Sequence, residues 1–562
     1  MMRWNFLPVP ESAELEQLSS ELNNPPALFV TLLWQRGIRS LEEAKVFLYP
    51  DEKLLEDPWT LKDMPLAVER LSKALQQKEK IWLLGDYDVD GTTAATLTYL
   101  ALQSLGGNCE IHIPDRYTEG YGVSMQGIDR GVAWGANLMI TLDCGIRSEI
   151  PLRYAALKGL EVIVCDHHIP GTSLPPAYAI LDPRQEDCSY KNPHLTGCGV
   201  AFKLLWALYE HLGEDPKKLL EYIDLLALSI SCDLVEVTGE NRYLLAEGLK
   251  KINQNPLPGI KALLNLHTWE QPIEINDLLF FLGPRINAAG RISHGKYAVE
   301  ILQGQALNLS ELVVQLNEDN AARKLLDEQQ TQSALAKINS DPAEKERMTT
   351  VLWDKDWIKG VLGISASRLI EQYYRPTILL APSGEHWTGS ARSVAGFDLF
   401  EALSACENDL LQFGGHKFAA GLTLREDQLE NFKVNFDAIV RKQLTTESYD
   451  PELAIDAVVS LAMLSEGQIK QLKFLAPHGP GNLQPVFASK YITATQVKIL
   501  KEKHIKFIAM QGETKIEAIG FGMAAYAELL HMPVDIAFHA NIQVYRGQSK
   551  RQLQLKDIRP SQ

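Results

Sequence analysis

Several absences narrow this 562-residue sequence before any motif is read. No stretch approaches the roughly 20 continuous apolar residues of a membrane-spanning helix, so a helical membrane protein is not expected. The first residues, MMRWNFLPVPESAELEQ, lack the basic-then-apolar order of a secretory signal. Cysteine is sparse: Cys109, Cys144, Cys165, Cys188, Cys198, Cys232 and Cys406 are odd in number, widely spaced and form no CxxC pair. Neither a disulfide framework nor a zinc finger is indicated, and reduced packing cysteines in a cytoplasmic protein are the expectation. Basic excess is missing as well. A net charge of −16 argues against a nonspecific DNA coat, but it leaves room for a nuclease, which needs only a local basic groove. No glycine or proline occurs between Gly304 and Pro342.

What is present is globular. Hydrophobic residues make up 46% and charged residues 22% of the chain, enough for each domain to bury a core. At roughly 150 residues per domain the length suits about three or four of them. From Lys80 a repeating α/β pattern begins. The apolar runs Ile81–Leu84, Glu110–Ile113, Leu138–Leu142 and Glu161–Cys165 are read as strands, with a helix over Thr92–Leu105. Strands alternating with helices imply a mostly parallel sheet covered on both faces. Such sheets bind ligands beyond the carboxyl ends of their strands. Mostly helical sequence follows over Ala201–Leu264. The glycine-free segment, rich in helix formers, is read as one long helix joining two lobes. A second α/β region carries the strands Thr350–Trp353 and Thr377–Ala381 around a helix over Gly363–Tyr374. Beyond Ser448 apolar and polar residues alternate, as in a small β-barrel.

The acidic residues form a pattern. GDYDVDG places Asp86, Asp88 and Asp90 just past a strand, and in extended chain residues two apart point the same way, so Asp88 and Asp90 are expected to face one cavity. Asp143 in TLDCG and Asp166-His167-His168 in VIVCDHH also follow strands, and Asp233 ends the run DLLALSISCD. Any one of these is more ordinarily a turn residue or, for Asp90, a helix N-cap. Together they bring carboxylates and imidazoles to one edge of one sheet. Crowded carboxylates repel unless cations neutralise them. Oxygen ligands with an imidazole and no thiolate favour manganese or magnesium over structural zinc. Two ions about 3.5–4 Å apart would suit in-line phosphoryl displacement, with His168 free to contact the phosphate or move a proton.

These motifs resemble the DHH phosphoesterase family, named for the triplet seen here as Asp166-His167-His168. IPDRYTEGYG, TGCGVAFKL, LGPRINAAGR, GVLGISASRLIE, GSARS, FGGHKFAAG, LAPHGPGN and LQLKDIRP narrow the resemblance to its RecJ branch, in order and over nearly the whole chain from Lys80. The resemblance implies a parallel-sheet DHH domain over 51–303 after an N-terminal extension over 1–50. A connecting helix over 304–345, a smaller α/β DHH-associated nucleic-acid-binding domain over 346–445 and an OB-like β-barrel over 446–562 complete the expected order. It implies that Asp88, Asp90, Asp143, His167 and Asp233 hold two Mn2+ ions, with Mg2+ as the alternative, that His168 is the catalytic-site histidine, and that Asp86 lies in or beside the ligand set. The activity implied is removal of 5'-mononucleotides from single-stranded DNA, 5' to 3', in recombination and repair. The expected partners are a single-strand-binding protein and a RecQ-like helicase, with a monomeric state and no membrane. Other DHH phosphoesterases act on pyrophosphate, short oligonucleotides or cyclic dinucleotides, and a noncatalytic scaffold would be expected to lose ligands. Two positions depart from relatives. Leu84 stands four residues before Asp88, where wider DHH phosphatases carry histidine, and Ile358 follows Trp357, where RecJ proteins commonly have histidine.

Strand-holding residues are expected in the second α/β region. Arg392 offers a bidentate fork for phosphate, with Ser390 on the same side and Ser393 beside it. Gly414, Gly415 and His416 are read as an amide-lined approach for an anion, with Lys417 as a further donor. Arg116 and Arg285 are assigned to the same task from the first lobe. In the barrel, Tyr545, Arg546, Lys550 and Arg551 fit the basic-plus-aromatic pattern of single-strand binders.

Overall fold

The computed structural model describes residues 2–444, 451–545 and 548–561. Two compact units result. One holds Phe6–Asn317 and Ile455–Gln562, the other Met1–Asn5 and Glu318–Ala454.

In the larger unit the strands Lys80–Gly85, Asn108–His112, Leu138–Leu142, Glu161–Cys165 and Ala179–Leu181 form one wholly parallel sheet. The second of these lies at one edge beside the first, and the third, fourth and fifth follow on the first strand's other side. Chain direction across the sheet therefore reverses between Lys80–Gly85 and Leu138–Leu142, and the splayed connections there leave a crevice at the carboxyl ends. Leu138–Leu142 is buried at every position, which is why it reads as a continuous apolar run and not as an alternation. Ala179–Leu181 has only three residues, too short to stand out in the sequence. The helix after the first strand starts at Val89, earlier than the expected Thr92, because Asp88 caps it by accepting from the Gly91 N–H at 3.0 Å. Asp90 thus lies in the first helical turn and not in extended chain.

The same unit carries the barrel. Strands Phe487–Leu500, His504–Gln511, Thr514–Gly520, Gln548–Pro560 and Val534–Tyr545 pair in that spatial order, and the last closes on the first. Closure removes the free edges that an open sheet would expose. The extension expected over 1–50 does not stand apart from it. Its helices Ala27–Gln35 and Leu41–Leu48 send Phe29, Leu32, Leu33 and Ala44 into the barrel's own core beside Phe487, Ile505 and Phe538.

The smaller unit is a five-stranded sheet in the order Gln412–His416, Ala419–Leu424, His386–Arg392, Thr377–Ser383, Thr350–Trp353. The last two run parallel around the helix Leu362–Tyr373. The Gly389–Arg392 part of GSARS and all of FGGH, read for phosphate contact through side chains and amides, lie in strands. The ladder takes up much of their backbone hydrogen bonding, so side chains carry more of any ligand contact. The long helix spans Leu309–Ser340. Within this unit its Ala334 and Ile338 pack with Leu352, Leu362 and Leu379.

Candidate metal centre

Four elements converge at the crevice of the parallel sheet. Asp86 follows the first strand, Asp143 the third and Asp166 the fourth, while Asp233 caps the C-terminus of the helix Ile223–Cys232. Asp143 adopts a left-handed conformation, φ 61°, which is uncommon for a non-glycine residue and is the kind of local strain that functional sites hold.

The side chains fall into overlapping groups whose potential ligand atoms lie within 4.8 Å of one another: Asp86, Asp88 and Asp143; Asp90, His167 and Asp233; and Asp143, His167 and His168. His167 Nε2 lies 3.2 Å from Asp143 Oδ1, 3.5 Å from Asp233 Oδ2 and 3.6 Å from Asp90 Oδ2. Asp143 belongs both to the carboxylate group and to the group with His167 and His168. All five residues assigned to metal in the sequence are brought together, and Asp86 joins them.

Whether these residues suit a cation is tested by what they lack. Asp86 Oδ2, Asp143 Oδ1 and both ring nitrogens of His167 are buried without a well-formed hydrogen bond, although His167 also has a backbone interaction with Leu195. Buried polar atoms are rarely left this way, and four of them in one cluster mark a place for a cation. Burial, reinforced by Asp88, pushes the Asp86 and Asp90 carboxyls upward. Burial and the neighbouring carboxylates Asp90 and Asp88 do the same to Asp143 and Asp233. Burial, with the charge of His168, lowers His167, keeping it the neutral imidazole that a metal requires. Without a cation the centre is a set of carboxyls that cannot all ionise.

The support around the centre is polar and specific. Asp90 accepts from the Gly197 and Cys198 N–H groups at 2.6 and 2.9 Å and from Ser229 Oγ at 2.8 Å. Those amides open the 16-residue helix Gly197–Leu212, capped by Thr196, whose N-terminal end favours negative charge. TGCG therefore works as a second layer that aims Asp90, and Ser229 joins it. The signal available in sequence was a threonine–glycine helix start, with nothing to show what it faces. Asp166 falls in none of these groups. It accepts from Ile146 N, His167 N and His168 N, and from His168 Nδ1 at 2.7 Å. Burial would raise its carboxyl, but the His168 hydrogen bond outweighs that and holds it low. Reciprocally, burial lowers His168, while the Asp166 hydrogen bond and charge win and raise it to about 9. Its Nε2 lies 3.4 Å from the Tyr121 hydroxyl, a neighbour the sequence reading missed. Leu84 is fully buried beside Trp82, Val123 and Cys144 and supplies no ligand.

Of the other assigned residues, Arg116 lies close enough for its charge to oppose the rise of the Asp86 carboxyl. Arg116 stacks on the Tyr87 ring at 4.2 Å, and its Nε is buried without a partner. Arg285 is engaged by Phe281, at 3.7 Å over the ring and 2.7 Å to its carbonyl, and by Asn317. In the smaller unit Arg392 and His416 both face Ala419 across neighbouring strands. Arg392 Nη1 donates to Ser390 Oγ at 3.2 Å. A side chain on Gly363, in the first turn of Leu362–Tyr373, would meet Arg392 Nη2 at 2.6 Å and Ser390 Oγ at 2.8 Å. Ser390, Arg392 and a helix N-terminus thus share one small polar site, while Ser393 bonds its own loop through Val394 and Phe397 carbonyls and Gly414 and Gly415 sit in the edge strand. Arg546 lies outside the described residues, as does the side chain of Tyr545. Arg551 donates to the Leu464 carbonyl, and Lys550 lines a cavity of about 700 Å³ together with Trp269 and Lys506.

A parallel sheet with a carboxylate–histidine cluster at its switch point, followed by a smaller α/β unit, defines the DHH class of phosphoesterases. Family models agree: the DHH family N-terminal domain matches residues 80–230, the DHHA1 domain 346–442 and the RecJ OB domain 455–557. The chain belongs to the RecJ family. It is 34% identical to the single-stranded-DNA-specific exonuclease RecJ of Bacillus subtilis, over 100% of this chain and 71% of that one. It is 33% identical to the Escherichia coli protein of the same name, over 98% of each. Among solved structures, RecJ of Thermus thermophilus in complex with Mn2+ superposes with a TM-score of 0.86 at 31% identity, covering 100% of this chain and 80% of that one.

Proposed function

We propose that this chain is a metal-dependent exonuclease that degrades single-stranded DNA from its 5' end, releasing 5'-mononucleotides. The observation that carries the reading is the buried cluster of Asp86, Asp143 and His167 atoms that lack well-formed hydrogen bonds within reach of further carboxylates, a donor set that suits divalent cations. Mn2+ is the first choice, Mg2+ the second. Asp90, Asp143, His167 and Asp233 would hold one ion, and Asp86, Asp88 and Asp143 the other. Bound there, two such ions would supply an activated water and charge neutralisation for an in-line displacement at phosphorus. The chain's own residues then orient and protonate. His168, held by Asp166 and charged near neutral pH, donates its Nε2 proton toward a phosphate oxygen or the leaving oxygen. Tyr121 stands beside that proton.

Arg392 and Ser390 bind a strand phosphate on the smaller unit. A charge-assisted hydrogen bond contributes about 1.5–3 kcal/mol. Arg392→Ala is therefore expected to weaken binding of a 5'-phosphorylated oligonucleotide ~10- to 100-fold while changing a 5'-hydroxyl oligonucleotide less. Equal losses for both, measured by fluorescence anisotropy, would remove the residue from end recognition. The barrel holds the strand farther from its end, in the manner of other OB folds. The substrate is a displaced strand, so a RecQ-like helicase that unwinds duplex and a protein that coats single strands are the partners the reaction calls for. We place it in the cytoplasm, where DNA and reduced thiols coexist. No helix among the described residues is long and apolar enough to cross a membrane.

The deciding experiment is a time course with Mn2+ on end-labelled single-stranded DNA beside the matching duplex. Mononucleotide release from the 5' end of the single strand alone is expected. Rapid turnover of dinucleotides or pyrophosphate with long strands untouched would move the protein to another DHH phosphoesterase activity.

A further inference from the structure

The segment LAPHGPGN, Leu475–Asn482, precedes the barrel's first long strand and has no part in the chemistry above. It is nevertheless held by side-chain hydrogen bonds from three directions. Asn482, 2% exposed, donates to the Leu475 and Pro477 carbonyls at 2.8 Å and closes the loop on itself. Arg36 donates to Asn482 Oδ1 at 2.8 Å and to the Leu483 carbonyl. The Arg242 guanidinium donates to the carbonyls of Leu475, Ala476, Pro477 and Phe47, at 2.8 to 3.1 Å, and stacks 3.9 Å over the Phe47 ring. A guanidinium using its whole fork on backbone acceptors fixes a loop far more rigidly than one bond would.

What this loop grips is the chain leaving the metal centre. Four residues past Asp233, the Val237 N–H donates to the Pro480 carbonyl at 2.8 Å. Val237 is fully buried, and a Cβ on Gly479 would lie 2.5 Å from its Cγ2. Between them Leu234 is left-handed, φ 56°, and 57% exposed. Its own side chain therefore does not hold that unfavourable conformation, and the anchor downstream does. On the other side, Cys232 abuts Gly283, where a Cβ would meet its Sγ at 2.6 Å. Asp233 is thus pinned from both ends.

We propose that the Leu475–Asn482 loop is a positioning element for the metal centre: the barrel, through Gly479 and Pro480, holds the backbone after Asp233 so that its carboxylate stays with His167 and Asp90. The inference rests on the two-ion reading. Gly479→Ala in the full-length protein forces a methyl against Val237 and displaces that backbone. Groups that orient metal ligands typically matter by 10- to 100-fold in affinity, so Mn2+ binding by isothermal titration is expected to weaken ~10-fold or more. Val237→Ala added to Gly479→Ala makes room for the methyl and is expected to recover most of the affinity. Asn482→Ala loosens the loop without a clash and should weaken Mn2+ binding in the same direction, which covers a Gly479→Ala protein that does not fold. Wild-type affinity in a folded Gly479→Ala or Asn482→Ala protein overturns the inference, as does a double variant that recovers nothing. A wild-type protein that binds no Mn2+ sinks the two-ion reading instead, and is told apart because the parent itself fails.

Discussion

Replacing Asp143 by Asn will abolish nuclease activity and at the same time stabilise the metal-free protein. The residue is 2% exposed, lies 3.2 Å from His167 Nε2 and belongs both to the carboxylate group and to the group with His167 and His168, so its loss is expected to disturb both proposed ion sites. Bound ions supply several kcal/mol of charge stabilisation, and every 1.36 kcal/mol is tenfold in rate. The rate of label release is therefore expected to fall at least ~1,000-fold. Without metal the sign reverses. Asp143 Oδ1 has no hydrogen-bond partner, and Asp90, Asp88, Asp233 and Asp86 all oppose its ionisation. A neutral amide of the same shape removes that repulsion. A gain on the order of 1 kcal/mol, or a few degrees of Tm in chelator, follows. Activity within tenfold of wild type would remove Asp143 from the bridging position. A lower Tm in chelator would make it a structural residue.

Chelation of the wild type is expected to stop activity completely and to lower Tm, with a gap that widens as pH rises. Burial first, then Asp88, raises Asp86 to about 8 and Asp90 to about 6, against about 3.9 in an unfolded chain. Between about pH 4 and 8 the metal-free native state thus holds more protons than the unfolded state, and its stability falls as pH rises. Below about pH 4 both states are protonated and the cost vanishes. Cations bind the deprotonated ligands and release those protons, so their stabilisation is fully expressed at the alkaline end. Saturation at 1,000 times Kd contributes about 4 kcal/mol. Thermal melts with Mn2+ and with chelator, at pH 5 to 8, check this. A gap that is constant or narrows toward pH 8 would sink it.

Much of this was legible from residues alone. Leu138–Leu142 and Glu161–Cys165 stand at the bounds their apolar runs set, since strands buried on both faces must be continuously apolar. The cluster Asp88, Asp90, Asp143, His167 and Asp233 was visible as strand ends and a helix end. Asp88 and Asp90 reach it by a different route from the one expected. They are an N-cap and a first-turn residue, not an extended pair, because the Asp88 carboxylate bonds Gly91 and starts the helix early. The strands His386–Arg392 and Gln412–His416 were hidden because glycines interrupt their side-chain alternation. Helices before Tyr49 looked like an extension because nothing local shows that Phe29 and Leu33 share a core with Phe538.

The sequence by itself determined the class of chemistry, the order of domains and the residues that carry charge to one sheet edge, because apolar periodicity and the positions of acids after strands are local properties. Only the tertiary structure decided how those residues are aimed. Ser229 reaches Asp90 across 139 positions, Gly197 and Cys198 turn a helix end toward the same carboxylate, and Pro480 holds Val237 beyond Asp233. Contacts of that kind depend on where distant elements pack, and the burial that raises the Asp86, Asp90, Asp143 and Asp233 carboxyls exists only once they have.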